Sequence, residues 1–243
     1  MATGAPEITS ALDDLITTIT RDLGTGFSAV LYGSLARGDW QADHSDVNLL
    51  LVVDDPAPAV LTRLTAASHG WHERGFTPPL ITGRAEWLRA TDVFPIEVTD
   101  MRLSYRVLVG DDPVAGLQVD LADLRRALEA SWRGKLLRMR QAFLRFGDDA
   151  DALGRVATAS TSELLVLLRC TAVLCGRTPG RTPSDAVTAV QDLIGTGDAT
   201  LREVLARRRS TGWSCPPLLF ASFLDALASL VHAVDRFSPS GGT

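Results

Sequence analysis

Tyr32-Gly33-Ser34, with Ser45-Asp46-Val47-Asn48 beginning eleven residues after the serine, constrains this chain more than any other feature. Both pieces adjoin apolar runs: residues 27–32 lead into Gly33, and residues 49–53 follow Asn48 without a polar interruption. Short runs of this kind bounded by glycine read as β-strands, so the pattern is strand, glycine-serine turn, loop, strand. Side chains two apart in a strand share a face, with Cα atoms roughly 7 Å apart. Asp46 and Asn48 therefore point the same way at the start of the second strand. Gly33 lets the backbone turn tightly and approach a ligand closely. Ser34 offers a hydroxyl and an amide N–H to phosphate oxygens, with Arg37 near enough to act as a charge clamp. Magnesium takes oxygen ligands and bridges carboxylates to substrate phosphates. The set favours a metal-bound nucleoside triphosphate, with Asp46 and Asn48 as its metal-facing pair.

Around this motif the periodicity alternates between helix and strand. Ser10 is placed to cap a first helix carrying Leu12, Leu15, Ile16, Ile19 and Leu23 on helical spacing, and Gly24 stops it. The far end of the second strand is apolar on both faces, the mark of a central strand covered on two sides. A helix over 56–68, a strand over 79–82, a short helix over 85–90 and a strand over 94–101 follow. Val107-Leu108-Val109 before Gly110 closes this half. From Asp120 the period is helical throughout. Leu121, Leu124, Leu128, Trp132, Leu136, Met139 and Phe143 line one face of a long helix. Residues 162–175 are apolar nearly all round, which predicts the central helix of a bundle. Thr182-Pro183-Ser184-Asp185 reads as a helix start, with a capping threonine, proline in the first turn and an early acid. Helices from Asp198 and Pro216 complete the set. The division is an α+β domain over 1–115, an all-α helical bundle domain over 116–237, and a disordered tail over 238–243.

The 243 residues suffice for one large domain or two smaller ones, and a 46% apolar content supports a sizeable core. A net charge of −5 argues against a nucleic-acid binder, which normally carries a basic stripe, and suits a small or cationic substrate. Cys170, Cys175 and Cys215 form neither a disulfide framework nor a zinc spacing. No secretory leader is visible at Met1. The apolar runs around 164–168 and 218–223 are too short to span a bilayer. The expectation is a cytoplasmic protein with no membrane partner.

A third acid is expected from a neighbouring strand. Residues 94–101 supply it, with Ile96 and Val98 on one face and Glu97 and Thr99 on the other. A carboxylate in an otherwise apolar strand needs a partner or a purpose. Arg106 is a possible partner for it, and Asp100 a fallback acid facing the other way.

These residues resemble the nucleotidyltransferase superfamily related to polymerase β, whose pattern is Gly-Ser, about ten residues, Asp-x-Asp or Asp-x-Glu, and a later acid on another strand. Leu31-Tyr32-Gly33-Ser34 with Ile96-Glu97-Val98-Thr99 looks most like the aminoglycoside adenylyltransferases. The resemblance implies a mixed β-sheet flanked by helices, with an appended helical substrate domain. It implies that Gly33 and Ser34 hold the triphosphate of ATP or another NTP, that Asp46 binds Mg2+, and that Glu97 is a metal ligand or the base on the acceptor hydroxyl. The implied reaction moves a nucleoside monophosphate, AMP from ATP, onto a hydroxyl of an aminoglycoside-like small molecule. Two rivals stand beside it: a catalytically degenerate domain that binds nucleotide or a partner, and an antitoxin-like enzyme that modifies a protein.

Asn48 is the departure from the pattern. Its amide oxygen brings no charge, and one unit-charge interaction at 4 Å is worth about 4 kcal/mol at an effective dielectric near 20. The remaining residues divide between site and scaffold. Lys135, the single lysine, either reaches the triphosphate or sits on a helix surface. Trp40 either stacks on a base or substrate or lies in the loop before Asp46. His44 reads as a polar loop residue, and His69 and His72 have no further ligands near them in sequence.

Overall fold

The computed structural model describes residues 5–38, 47–68, 71, 76–208 and 210–238. The chain folds into two compact units, one of residues 1–93 and 100–118, the other of residues 94–99 and 119–243.

The first unit is built on a four-stranded mixed sheet in the order β3-β2-β1-β4, with β1 Phe27–Tyr32, β2 Asn48–Val53, β3 Leu80–Gly83 and β4 Tyr105–Val109. β1 runs antiparallel to both β2 and β4, and β2 runs parallel to β3. An isolated bridge from Val47 to Phe76 carries the β2–β3 pairing direction back beyond both strands. The two central strands are the ones whose sequences are apolar on both faces. Ala29, Leu31, Leu49 and Leu51 are buried in one apolar cluster, and Val30, Leu50 and Val52, pointing the opposite way, are buried as well.

Helix α1, Ala5–Leu23, supplies Ile8, Leu12, Leu15 and Ile19 to that cluster. It begins five residues before Ser10, the expected cap. Ile8 extends the apolar stripe one turn further back, and Glu7 in the first turn favours the helix dipole. The stripe, and not the hydroxyl, decides where the helix starts. Helices α2 Ser34–Arg37, α3 Pro58–Ser68 and α4 Arg84–Trp87 complete the layers of this unit.

The strand expected over 94–101 is a helix, α5 Pro95–Leu103. Proline at the first helical position loses no intrahelical bond and presets φ, and Glu97 sits in the first turn, where the dipole favours a carboxylate. The alternation of Ile96 and Val98 with Glu97 and Thr99 does not survive the burial pattern: Ile96, Val98, Thr99 and Met101 are all buried, while Glu97, Arg102 and Leu103 are exposed. Four residues are too few to separate a period of 2 from one of 3.6. The boundary between the two units falls inside this helix, after Thr99.

The second unit is all-helical beyond α5: α6 Leu121–Phe146, α7 Ala150–Ala159, α8 Thr161–Leu174, α9 Pro183–Thr188, α10 Gln191–Ile194, α11 Asp198–Ala206 and α12 Pro217–Arg236. α8 is the central element, burying Leu164, Leu165, Leu167, Leu168, Cys170 and Leu174 among others. The Trp132 indole N–H donates to the Thr171 hydroxyl at 3.0 Å, so the largest core side chain of α6 has its polar atom satisfied. Asp120 caps α6, accepting from the Ala122 N–H at 2.6 Å. Thr182 caps α9 in a reciprocal box with Asp185.

α12, with 20 residues and mean hydropathy 1.7, is long and apolar enough by composition to cross a membrane, unlike the shorter run read from sequence. Phe220, Phe223, Ala226, Leu227, Leu230, Val231 and Val234 instead form a stripe buried in the bundle core. The tail expected from 238 lies, from residue 239 on, outside the described residues.

Candidate functional site

The glycine-serine turn takes a backbone shape that only glycine adopts readily. Gly33 leaves β1 at φ 80° and ψ −151°, and the chain enters the single helical turn α2 at Ser34. Ser34 itself is buried. Gly38 closes α2 in the left-handed region, its N–H donating to the Ser34 carbonyl at 3.0 Å.

Register brings the start of β2 against this turn. Tyr32 pairs with Asn48 across the β1–β2 ladder, so the next residue, Gly33, lies beside the Asn48 side chain. A Cβ on Gly33 would stand 2.8 Å from Asn48 Nδ2. The asparagine amide therefore packs into the space that glycine leaves. On its other side Thr77 approaches: its hydroxyl reaches the Val47 carbonyl at 3.2 Å and Asn48 Oδ1 at 3.4 Å. Thr77 follows Phe76, the residue bridged to Val47, which explains its position. No local pattern in the sequence signals this contact, which spans 29 residues and depends on the parallel β2–β3 pairing.

Asp46, Trp40 and His44 lie outside the described residues, as do His69 and His72. Arg37 is the residue read as a phosphate clamp. Its guanidinium is ion-paired with Asp100 at 3.7 Å, and both side chains are largely buried. That pair links α2 to α5.

Glu97, the expected third acid, lies in α5. Its carboxylate stands on the exposed side of a helix and not in a strand, and among the described residues it makes no ion pair with Arg106 or any other base.

Lys135 is neither a surface lysine nor open to solvent. It is buried in the helical unit, where Nζ donates to the Ser160 carbonyl at 3.2 Å and pairs with Glu163 at 2.6 Å. Desolvation holds its pKa below the ordinary lysine value, against the opposing pull of Glu163. The folded chain thus gives up this proton at lower pH than the unfolded chain, so stability rises as pH climbs through the folded pKa. Glu163 also receives Arg138 at 3.0 Å. Removing the carboxylate leaves a buried ammonium with a single carbonyl partner, whereas removing the lysine leaves a half-exposed carboxylate that keeps Arg138. Glu163→Gln is expected to lower stability by about 1–2 kcal/mol in urea unfolding at pH 7. Lys135→Met should stay within about 1 kcal/mol of the parent and lose the alkaline slope.

Among the described residues no group of three or more His, Cys, Asp and Glu side chains is placed to hold a metal ion. The donors that the motif offers are oxygens, the Asp46 carboxylate by sequence and the Ser34 hydroxyl, whereas the Asn48 amide turns its nitrogen to the glycine turn. Hard oxygen donors of this kind fit magnesium shared with phosphate.

Comparison with known proteins adds two findings. Residues 13–102 match a protein family described as a nucleotidyltransferase domain, a span that runs from α1 through the turn and β2 into α5. The fold is similar to that of a spectinomycin adenyltransferase from Enterococcus faecialis, whose crystal structure was determined with ATP and spectinomycin. The TM-score is 0.58 at 13% identity, covering 91% of this chain and 98% of the other. By sequence, no curated protein matches the chain.

Proposed function

We propose that this chain, whose residues 13–102 match a nucleotidyltransferase domain, is a transferase that moves AMP from ATP onto a hydroxyl of a small, aminoglycoside-like acceptor. The observation that carries this reading is the seating of the Asn48 amide against the Gly33-Ser34 turn. Register brings Asn48 against the turn across β1 and β2, so a triphosphate on the turn meets Asn48. Supporting it are the fold shared with a protein solved with ATP and spectinomycin, and a net charge of −5 that suits cationic acceptors.

In this reading Ser34 and the backbone after Gly33 bind and orient the triphosphate, and Asp46 faces a magnesium ion. Such an ion would supply positive charge to the phosphates and the departing oxygens. The acceptor oxygen bonds to the α-phosphorus, the α–β bridging bond breaks, and pyrophosphate leaves with that electron pair. The hydroxyl proton passes to a carboxylate, the role the resemblance assigns to Glu97. Arg37 and Lys135 are left out of the binding set, because both are held by carboxylates within their own units.

Asn48 favours a second reading, a domain that binds the triphosphate without transfer. Incubation of the full chain with magnesium, each nucleoside triphosphate and a panel of aminoglycosides and aminocyclitols separates the two. Transfer predicts acceptor-dependent pyrophosphate release, greatest with ATP. Tight ATP binding with no release across the panel selects the second reading.

A further inference from the structure

The geometry points to a particular division of labour at Asn48: its amide nitrogen donates to the triphosphate, and Thr77 is the positioning residue that holds the amide in that sense. This inference rests on the proposed triphosphate site.

Three observations carry it. The nitrogen, and not the oxygen, is the Asn48 atom that faces the glycine turn, 2.8 Å from where a Gly33 Cβ would stand. The oxygen faces away, toward the Thr77 hydroxyl at 3.4 Å. The same hydroxyl reaches the Val47 carbonyl at 3.2 Å, so Thr77 is anchored to the backbone of the very segment that carries Asn48. An amide nitrogen carries two protons and no usable lone pair, so it cannot ligate a cation but can donate to a phosphate oxygen. An aspartate at this position would present only acceptors and would require a metal ion between itself and the triphosphate. The asparagine removes that requirement on one side of the site. Thr77 has no family role in the resemblance, and its sequence position gives it none. What makes it a positioning residue is that its one hydroxyl proton, shared between the Val47 carbonyl and the amide oxygen, draws that oxygen to its side and leaves the nitrogen for the turn.

The consequence is separable from catalysis: part of the affinity for ATP survives without metal. Equilibrium binding of ATP to the full-length chain is measured in EDTA and in magnesium, for the parent, Asn48→Ala, Thr77→Val and Thr77→Ser. The parent is expected to bind ATP in EDTA. Asn48→Ala should weaken that metal-free binding by about tenfold, the loss of one hydrogen bond to a charged group. Thr77→Val should weaken it severalfold, and Thr77→Ser should restore it, which a packing role for the threonine methyl would not do. Should Asn48→Ala fail to fold, as seen by circular dichroism, the threonine pair decides. Metal-free binding equal in all four proteins overturns the inference, as does parent binding that appears only with magnesium; both leave the transferase reading standing. No ATP binding by the parent in either condition removes that reading and this inference together.

Discussion

Asp46→Ala is expected to lower magnesium-dependent pyrophosphate release by about a thousandfold or more while leaving the thermal unfolding temperature nearly unchanged. Asn48 is neutral, so Asp46 carries the one formal charge of the Asp-x-Asn pair. One charge interaction of about 4 kcal/mol at short range corresponds to roughly three orders of magnitude in rate. The residues that hold β2 in the sheet begin with Val47 and continue through Leu49 to Val53, all buried. Asp46→Asn is the sharper version, since it preserves shape and removes only charge. Release within about threefold of the parent would place the chemistry elsewhere in the chain.

Gly33→Ala should damage the glycine-serine turn both by backbone strain and by direct contact. A φ of 80° with ψ −151° belongs to a region that L-residues avoid, at about 1–3 kcal/mol. The added Cβ also meets Asn48 Nδ2 at 2.8 Å, so either the turn or the asparagine must move. ATP affinity is expected to fall by about tenfold or more, together with a lower unfolding temperature. Gly38→Ala is the control. Its φ of 84° is similarly positive, but its added Cβ has nothing within 4 Å. It should destabilise without the same loss of ATP binding, which separates backbone strain from disruption of the turn.

Much of the scaffold is legible in the sequence because several local signals agree. β1 is readable from an apolar run closed by glycine at each end, and α9 from threonine, proline and aspartate in capping order, which the structure uses as a reciprocal cap. The long α6 stripe places Leu124, Leu128, Trp132, Leu136 and Met139 in the core. The same stripe holds a further clue: position 135 is seven beyond Leu128 and four before Met139, so Lys135 lies on the buried face. Its charge suggests a surface or a ligand, and its register overrides both.

α5 departs from the expected strand because its apolar residues fit both periods over a short window. Pro95 followed by an acid in the first turn is the discriminating signal, since proline suits the start of a helix and interrupts a sheet ladder. The site is legible only where chain neighbours build it. Gly33, Ser34 and Asn48 come together through one antiparallel register. Thr77 reaches Asn48 through a parallel pairing that no local pattern encodes, and the Arg37–Asp100 pair joins residues far apart in the sequence.

A crystal structure of the full chain with magnesium and a non-hydrolysable ATP analogue bears most directly on the triphosphate site. The expected density has the triphosphate seated on the Gly33-Ser34 turn, the ion on the Asp46 carboxylate, and the Asn48 amide within hydrogen-bond reach of a phosphate oxygen. A triphosphate bound away from the turn, or an ion without Asp46 among its ligands, would contradict it.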